Sequence, residues 1–150
     1  MVKEFKNRKE WALILGGSSG LGLATAKKLA KHGMNICIVH RNYRSQLKKI
    51  EKSFKKINQE EVAFVSYNTD ALHIEKRASL IEKLKIKMEG GKVKVLVHSI
   101  SKGNLKPMIS DSMPILQTDD YQLTIQAMGI SLYDWVKAVF EAKLFSADAR

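Results

Sequence analysis

The chain has 150 residues, 45% of them apolar and 27% charged, a balance that builds one soluble globular domain with a core of its own and excludes a fibrous or disordered chain. No run reaches the roughly 20 apolar residues of a membrane span, the charged start "MVKEFKNRKE" does not read as a signal peptide, and a single cysteine, Cys37, cannot close an internal disulfide, so the expected location is the cytoplasm. The net charge is +11 and uneven, with 23 basic and 9 acidic side chains in residues 1–106 against 3 and 6 in residues 107–150; this suits an anionic partner, although most of the lysines fall on helices with an apolar stripe and read first as solvated faces.

Four short β-branched runs mark strands: "WALIL" (11–15), "NICIV" (35–39), "VAFVS" (62–66) and "VKVLVHS" (93–99). Their nearly continuous apolar character is that of strands buried on both faces. Helical patterns separate them. Residues 20–32 run to Gly33, a residue suited to the position after a helix end. Leu47, Ile50, Phe54 and Ile57 repeat at helical spacing, while seven basic residues crowd Arg41 to Lys56. Ile74, Ala78, Ile81, Leu84 and Met88 give a third apolar face before "EGGK" stops the helix. The order βαβαβαβ, with right-handed crossovers, is the opening of a doubly wound parallel α/β sheet. "SKGNLKPMISDSMPILQ" (101–117) holds both prolines and reads as a loop. Residues 118–145 then form a long helix, with Thr118 or Asp119 as N-cap, acids in its first turn, and Tyr133, Val136 and Phe140 facing the core.

The first strand runs into "GGSSGLG". Gly16, Gly20 and Gly22 give G-x-x-x-G-x-G between a strand and a helix. Glycines allow the tight turn and let a pyrophosphate approach the backbone, and the helix start behind them offers free N–H groups. Such a pattern is weak alone and strong in a βαβ unit.

"GGSSGLG" resembles the cofactor loop of the short-chain dehydrogenase/reductase family, whose members bind NAD or NADP on a Rossmann sheet, and the resemblance runs along the whole chain. It implies that Gly16, Ser18, Ser19, Gly20, Leu21 and Gly22 hold the cofactor phosphates. "YNTDA" resembles the segment in which an aspartate, here Asp70 followed by Ala71, meets the adenine. "VHSIS" resembles the family's N-N-A-G segment beside the cofactor ribose, with His98 and Ser99 in place of two asparagines and Ile100 next.

The end of the second strand distinguishes the two cofactors. A carboxylate there binds a ribose 2′-hydroxyl and repels a 2′-phosphate. Here His40, Arg41 and Arg44 stand in that region, and no acid occurs between Gly33 and Glu51. A guanidinium can hold phosphate through two N–H groups, so NADP(H) is expected over NAD(H).

Family chemistry uses a Tyr-x-x-x-Lys pair preceded by a serine, with the tyrosine as proton donor and the lysine lowering its pKa. Tyr133 and Lys137 have that spacing but lie one β-α unit too early, so no catalytic residue is expected within these residues. The chain reads as the N-terminal, cofactor-binding portion of a longer domain. "VKVLVHS" would otherwise be an exposed apolar edge, which invites aggregation, unless a partner chain completes the sheet, the second reading.

Within the family, "HSI" at 98–100 and A-x-x-I-S-x-Y at Ala127, Ile130, Ser131 and Tyr133 resemble enoyl-acyl-carrier-protein reductases, which reduce an enoyl thioester and whose carrier is acidic. "GGSSGLG" is the form shared with 3-oxoacyl and other carbonyl reductases, and Gln126 stands near the place of their relay asparagine. The resemblance thus implies an NADPH-dependent enoyl reductase, with a 3-oxoacyl or carbonyl reductase as the alternative and a non-catalytic dinucleotide-binding module as another. The family resemblance also implies a homo-oligomer. Nothing on a recognised scaffold reads bases, so nucleic acid is not an expected partner. His32, His40, His73 and His98 show no metal-ligand spacing, and Cys37, Met108, Met113 and Met128 read as packing residues.

Overall fold

The computed structural model describes residues 3–150. Strand β1 (Glu10–Leu15) pairs in parallel with β2 (Asn35–His40) on one side and β4 (Lys92–His98) on the other, and β2 pairs with β3 (Phe64–Asn68). The sheet order is therefore β3-β2-β1-β4, with the direction of winding reversing at β1. Alternation along β1 and β2 sends side chains into two separate cores. Trp11, Leu13, Leu15, Cys37 and Val39 pack on the face covered by α3 (Ile74–Met88) and by Trp135 and Val139. Ala12, Ile14, Ile36 and Ile38 pack on the face covered by α1 (Gly20–Lys31) and α2 (Arg44–Asn58). Burial drives the Cys37 thiol strongly upward from its ordinary pKa, so it is inert core.

Three elements depart from the sequence-based expectation. Strand β3 begins at Phe64, two residues later than the apolar run, because the Ala63 N–H is taken by the Asn35 side chain (3.0 Å) and ladder pairing starts at Ile36 with Phe64. β3 and β4 are also largely half-buried, whereas β1 and β2 are buried after their first residues, Glu10 and Asn35. Helix α3 turns Arg77, Leu80, Ile81, Leu84 and Met88 inward and leaves Ile74 and Ala78 exposed. The cause is Arg77, which reaches Asp134 at 3.3 Å and occupies the place that the apolar pattern assigns to its neighbour.

The long helix is continuous but not uniform. It consists of α4 (Thr118–Ile125), a π-helical turn at Gln126–Ile130, and α5 (Ser131–Glu141). The wider turn makes the buried positions step by four, to Ala127, Ser131, Trp135 and Val139. Tyr133, Val136 and Phe140, expected in the core, are exposed. Gln117 is the N-cap rather than Thr118 or Asp119, and its N–H donates to Asp120 Oδ2 at 2.8 Å.

Strand β4 is not left bare. Residues 144–150 run along it, with Val93 N–H donating to the Leu144 carbonyl (2.8 Å), Ser146 N–H to Val93 (3.0 Å), Leu96 N–H to Arg150 (2.9 Å) and Arg150 N–H to Lys94 (2.9 Å). Lys94 and Asp148 form an ion pair beside this ladder. Among the described residues, no helix is long and apolar enough to cross a membrane.

Candidate functional site

At the carboxyl ends of β1, β2 and β4 lies an open cleft of about 370 Å³. Its floor is the turn from β1 into α1, where Gly16, Ser18 and Ser19 face the opening. Gly20 opens α1 with φ +53, a left-handed conformation that favours glycine, and a Cβ there would meet nothing within 4 Å. Gly22, in the first turn of the helix, is enclosed: a Cβ would stand 2.6 Å from the Gly16 carbonyl oxygen and 3.1 Å from Ser99 Oγ. The helix start is thus seated directly against the end of β4.

The N-terminus of α1 is electrically open. Ser19 is extended at the N-cap but its side chain makes no capping hydrogen bond, and no acid lies in the first turn. The first N–H groups of a helix lack intrahelical acceptors and carry a partial positive charge. Ser18 and Ser19, just before this helix start, line the cleft, and a Cβ on Gly20 would meet nothing within 4 Å.

One wall comes from the end of β2. His40 is buried, stacks edge-on against Phe54 at 5.6 Å, and contacts Asn42 Oδ1 through Nδ1 at 2.8 Å. Burial lowers its pKa, and the Asn42 contact opposes that shift. Arg41 points outward and donates from Nη1 to Asp70 Oδ2 at 2.7 Å. Arg44 lies at the start of α2 and does not reach the cleft.

The same wall continues into the turn after β3. The Asp70 carboxylate accepts the Leu72 N–H at 3.0 Å through its other oxygen, Oδ1. Ala71 is buried, and its carbonyl accepts the Trp135 Nε1–H at 2.9 Å, fastening this turn to α5. Ser99 and Ile100 form the opposite wall beyond β4, with the Ser99 N–H donating to Leu15 at 2.8 Å.

His98 stands one residue behind that wall. Its Nε2 lies 2.7 Å from Ser131 Oγ, while the Ser131 hydroxyl donates to the Ala127 carbonyl at 2.8 Å. A hydroxyl has one proton, so the histidine donates from Nε2–H. Burial lowers the His98 pKa.

Of the expected residues, the structure brings Gly16, Ser18, Ser19, His40, Arg41, Asp70, Ala71, Ser99 and Ile100 around one cleft. Gly20 and Gly22 do not line it but lie in the helix start directly behind its Ser18–Ser19 floor. Leu21 is 83% exposed and, with Arg44 and His98, lies outside the lining. Asn42, Thr69, Leu72, Ser101 and Lys102 also line it. Thr69 and Ser101 stand inside segments already singled out, and Asn42 and Lys102 directly follow them. The Thr69 N–H donates to His40 at 2.7 Å and ties the two strand ends together.

A parallel β3-β2-β1-β4 sheet, with a glycine turn and a helix N-terminus at the point where winding reverses, defines a Rossmann-type fold. The sequence profile of the short chain dehydrogenases matches residues 10–144, and the chain belongs to that family. It is 31% identical over 93 residues to the very-long-chain 3-oxoacyl-CoA reductase of Rattus norvegicus, covering 61% of this chain and 27% of that protein. It is 28% identical over 135 residues to the enzyme of the same name from Pyricularia oryzae, covering 85% and 37%. Among solved structures, NAD+-bound xylitol dehydrogenase superposes with a TM-score of 0.72 at 21% identity, covering 90% of this chain and 48% of that one. The chain thus spans well under half the length of these two reductases and about half that of the dehydrogenase.

Proposed function

We propose that the cleft holds the pyrophosphate and adenosine half of a nicotinamide dinucleotide, and that the whole protein is an oxidoreductase acting on an acyl thioester or a related carbonyl. The observation that carries this reading is the open start of α1, with no side-chain cap on Ser19 and clear space at Gly20. The glycine floor fits the cofactor: Gly22 keeps the helix seated against Ser99, and Gly20 leaves room for a phosphate. In this reading the N–H groups at Gly20, Leu21 and Gly22 meet the pyrophosphate, with Gly16, Ser18 and Ser19 beside it. Asp70 and Ala71 border the adenine, and His98, Ser99 and Ile100 hold the end of β4 beside the nicotinamide ribose.

When bound, the dinucleotide supplies or accepts a hydride; the residues described here bind and orient it. NADP(H) is favoured. Arg41 lies on the wall beyond β2, and neither Arg41 nor the first turn of α2 has an adjacent acid in sequence. For the substrate, the names of the related reductases support reduction of a 3-oxoacyl thioester better than of an enoyl thioester. A second reading, the enoyl thioester, rests on one contact: His98 and Ser131, from the two segments that resemble enoyl reductases, are hydrogen-bonded to each other. The tyrosine and lysine of catalysis are not assigned within residues 1–150, since Tyr133 is exposed and Lys137 pairs with Glu141 at 3.8 Å.

Partners follow from the surface. On α2, Arg44, Lys48, Lys49, Lys52, Lys55 and Lys56 have no carboxylate within ion-pair distance among the described residues, which supports an acidic carrier protein. The exposed Leu132, Val136 and Phe140 of α5 support a homo-oligomer. The buried Cys37 fits a reducing cytoplasm.

The test is titration of NADPH and NADH into the protein with and without Arg41→Ala. The substitution should weaken NADPH by about tenfold, the loss of a charge-assisted hydrogen bond, and NADH far less. Equal losses would remove the NADP(H) assignment, and no binding of either would remove the cofactor reading. Turnover of 3-oxoacyl-CoA against enoyl-CoA by the full-length protein then separates the two substrates, and failure with both leaves a binding module.

A further inference from the structure

We propose that Asp70 is an internal competitor for the 2′-phosphate, so that its ion pair with Arg41 sets how strongly the cleft discriminates between the phosphorylated and unphosphorylated dinucleotide. The inference rests on the cofactor reading above.

Arg41 follows the last residue of β2, and Asp70 stands two residues past the end of β3. These strands pair in parallel up to His40 with Asn68, and the Thr69 N–H bonds back to His40. The sheet register therefore delivers a cation and an anion to the same wall. The two partners are not equally held. Asp70 is anchored through Oδ1 by the Leu72 N–H at 3.0 Å, and its side chain is 25% exposed. The Arg41 side chain is 67% exposed and meets Oδ2 through Nη1 at 2.7 Å. The carboxylate is the fixed member and the guanidinium the movable one.

An anion thus already sits where a 2′-phosphate seeks its cation. An incoming phosphate must share the guanidinium with the carboxylate, against like-charge repulsion, or draw Arg41 away from it. A 2′-hydroxyl carries no charge and meets neither cost. Arg44 does not line the cleft, and Lys102 lines it from beyond β4, so Arg41 is the cation that the β2–β3 side presents to the phosphate. It follows that Asp70 restrains preference for the phosphorylated cofactor, and that neutralising it should sharpen that preference.

Asp70→Asn removes the charge and keeps an acceptor for the Leu72 N–H. The experiment measures calorimetric affinities of the full-length protein for 2′,5′-ADP and 5′-AMP, which differ only by the 2′-phosphate. The ratio of the two affinities should rise about two- to fivefold in Asp70→Asn, the scale of one released ion pair. The rise should shrink when Arg41 is already Ala. A ratio unchanged or lowered by Asp70→Asn, with both nucleotides still bound, overturns the inference and leaves the cofactor reading standing. Failure of the wild-type protein to bind either nucleotide overturns both. An independent readout needs no substitution at Asp70: the Arg41 side-chain NMR signal should shift with 2′,5′-ADP and not with 5′-AMP. An equal response to the two also overturns the inference.

Discussion

His98 Nε2 and Ser131 Oγ lie 2.7 Å apart, joining the end of β4 to the helix that crosses behind the cleft. Ser131 has no solvent exposure, and its own proton goes to Ala127. Replacing Ser131 by Ala strands the imidazole N–H, and the expected cost is about 1–3 kcal/mol, measured by urea unfolding. The histidine adds a pH signature. Its folded pKa is lowered by burial, so its contribution to stability is present above its ordinary value of 6.5 and is lost as the pH falls through the lower folded value. Proton NMR of the His98 ring should give a midpoint below 6.5 in the folded protein.

The two glycines of the first helical turn should respond differently to alanine. Gly22→Ala drives a methyl to within 2.6 Å of the Gly16 carbonyl, so the helix must move away from β4. The expected loss is about 1–3 kcal/mol, as for overpacking, together with dinucleotide binding. Gly20→Ala meets no atom within 4 Å and suffers only its φ of +53, for about 1–2 kcal/mol. Thermal melts and NADPH titrations of both variants distinguish the two effects.

Asp120 pins the loop that follows β4. Its carboxylate accepts from Asn104 Nδ2, from the Gln117 N–H at 2.8 Å and from Lys106 Nζ at 2.9 Å. Asn104, then Gln117 and Lys106, hold its pKa at about 2 against an ordinary 3.8. The sign is that of a depressed carboxylate: the stabilisation is complete above about pH 4 and disappears as the pH falls through about 2. At neutral pH, Asp120→Ala should raise hydrogen exchange at the Leu116 and Gln117 amides while the sheet amides keep their protection.

Arg77 and Asp134 join α3 to α5 at 3.3 Å, and Arg77 Nη1 is buried without a partner. Asp134→Asn leaves that guanidinium uncompensated and should cost up to about 3 kcal/mol, whereas Arg77→Met removes the buried charge and should cost less. Denaturant midpoints of the two variants give the order; the reverse order would mean that the pair stabilises the contact on balance.

The order of strands and helices and the glycine turn were legible because apolar periodicity and backbone freedom are local properties. The faces of the long helix were not. Tyr133, Val136 and Phe140 share one face at helical spacing, yet the buried face runs through Ala127, Ser131, Trp135 and Val139, stepping by four from the π-turn at Gln126–Ile130 onward. Arg77 escaped for a related reason, since its burial depends on an acid 57 positions away in another helix. In the cleft, the two flanking segments were readable one at a time. That Arg41 spends its charge on Asp70, 29 positions away, follows only from the register of β2 against β3.

The ladder between β4 and residues 144–150 also bears on the order of folding. Its two sides are separated in the chain by the loop and the whole long helix, so closing it costs more entropy than pairing β1 with β2 across α1 alone. Such distant contacts are rewarded only after the intervening helix has docked. This last ribbon should therefore zip up late and open early, exchanging its amides through local fraying while the central strands hold until the whole domain unfolds.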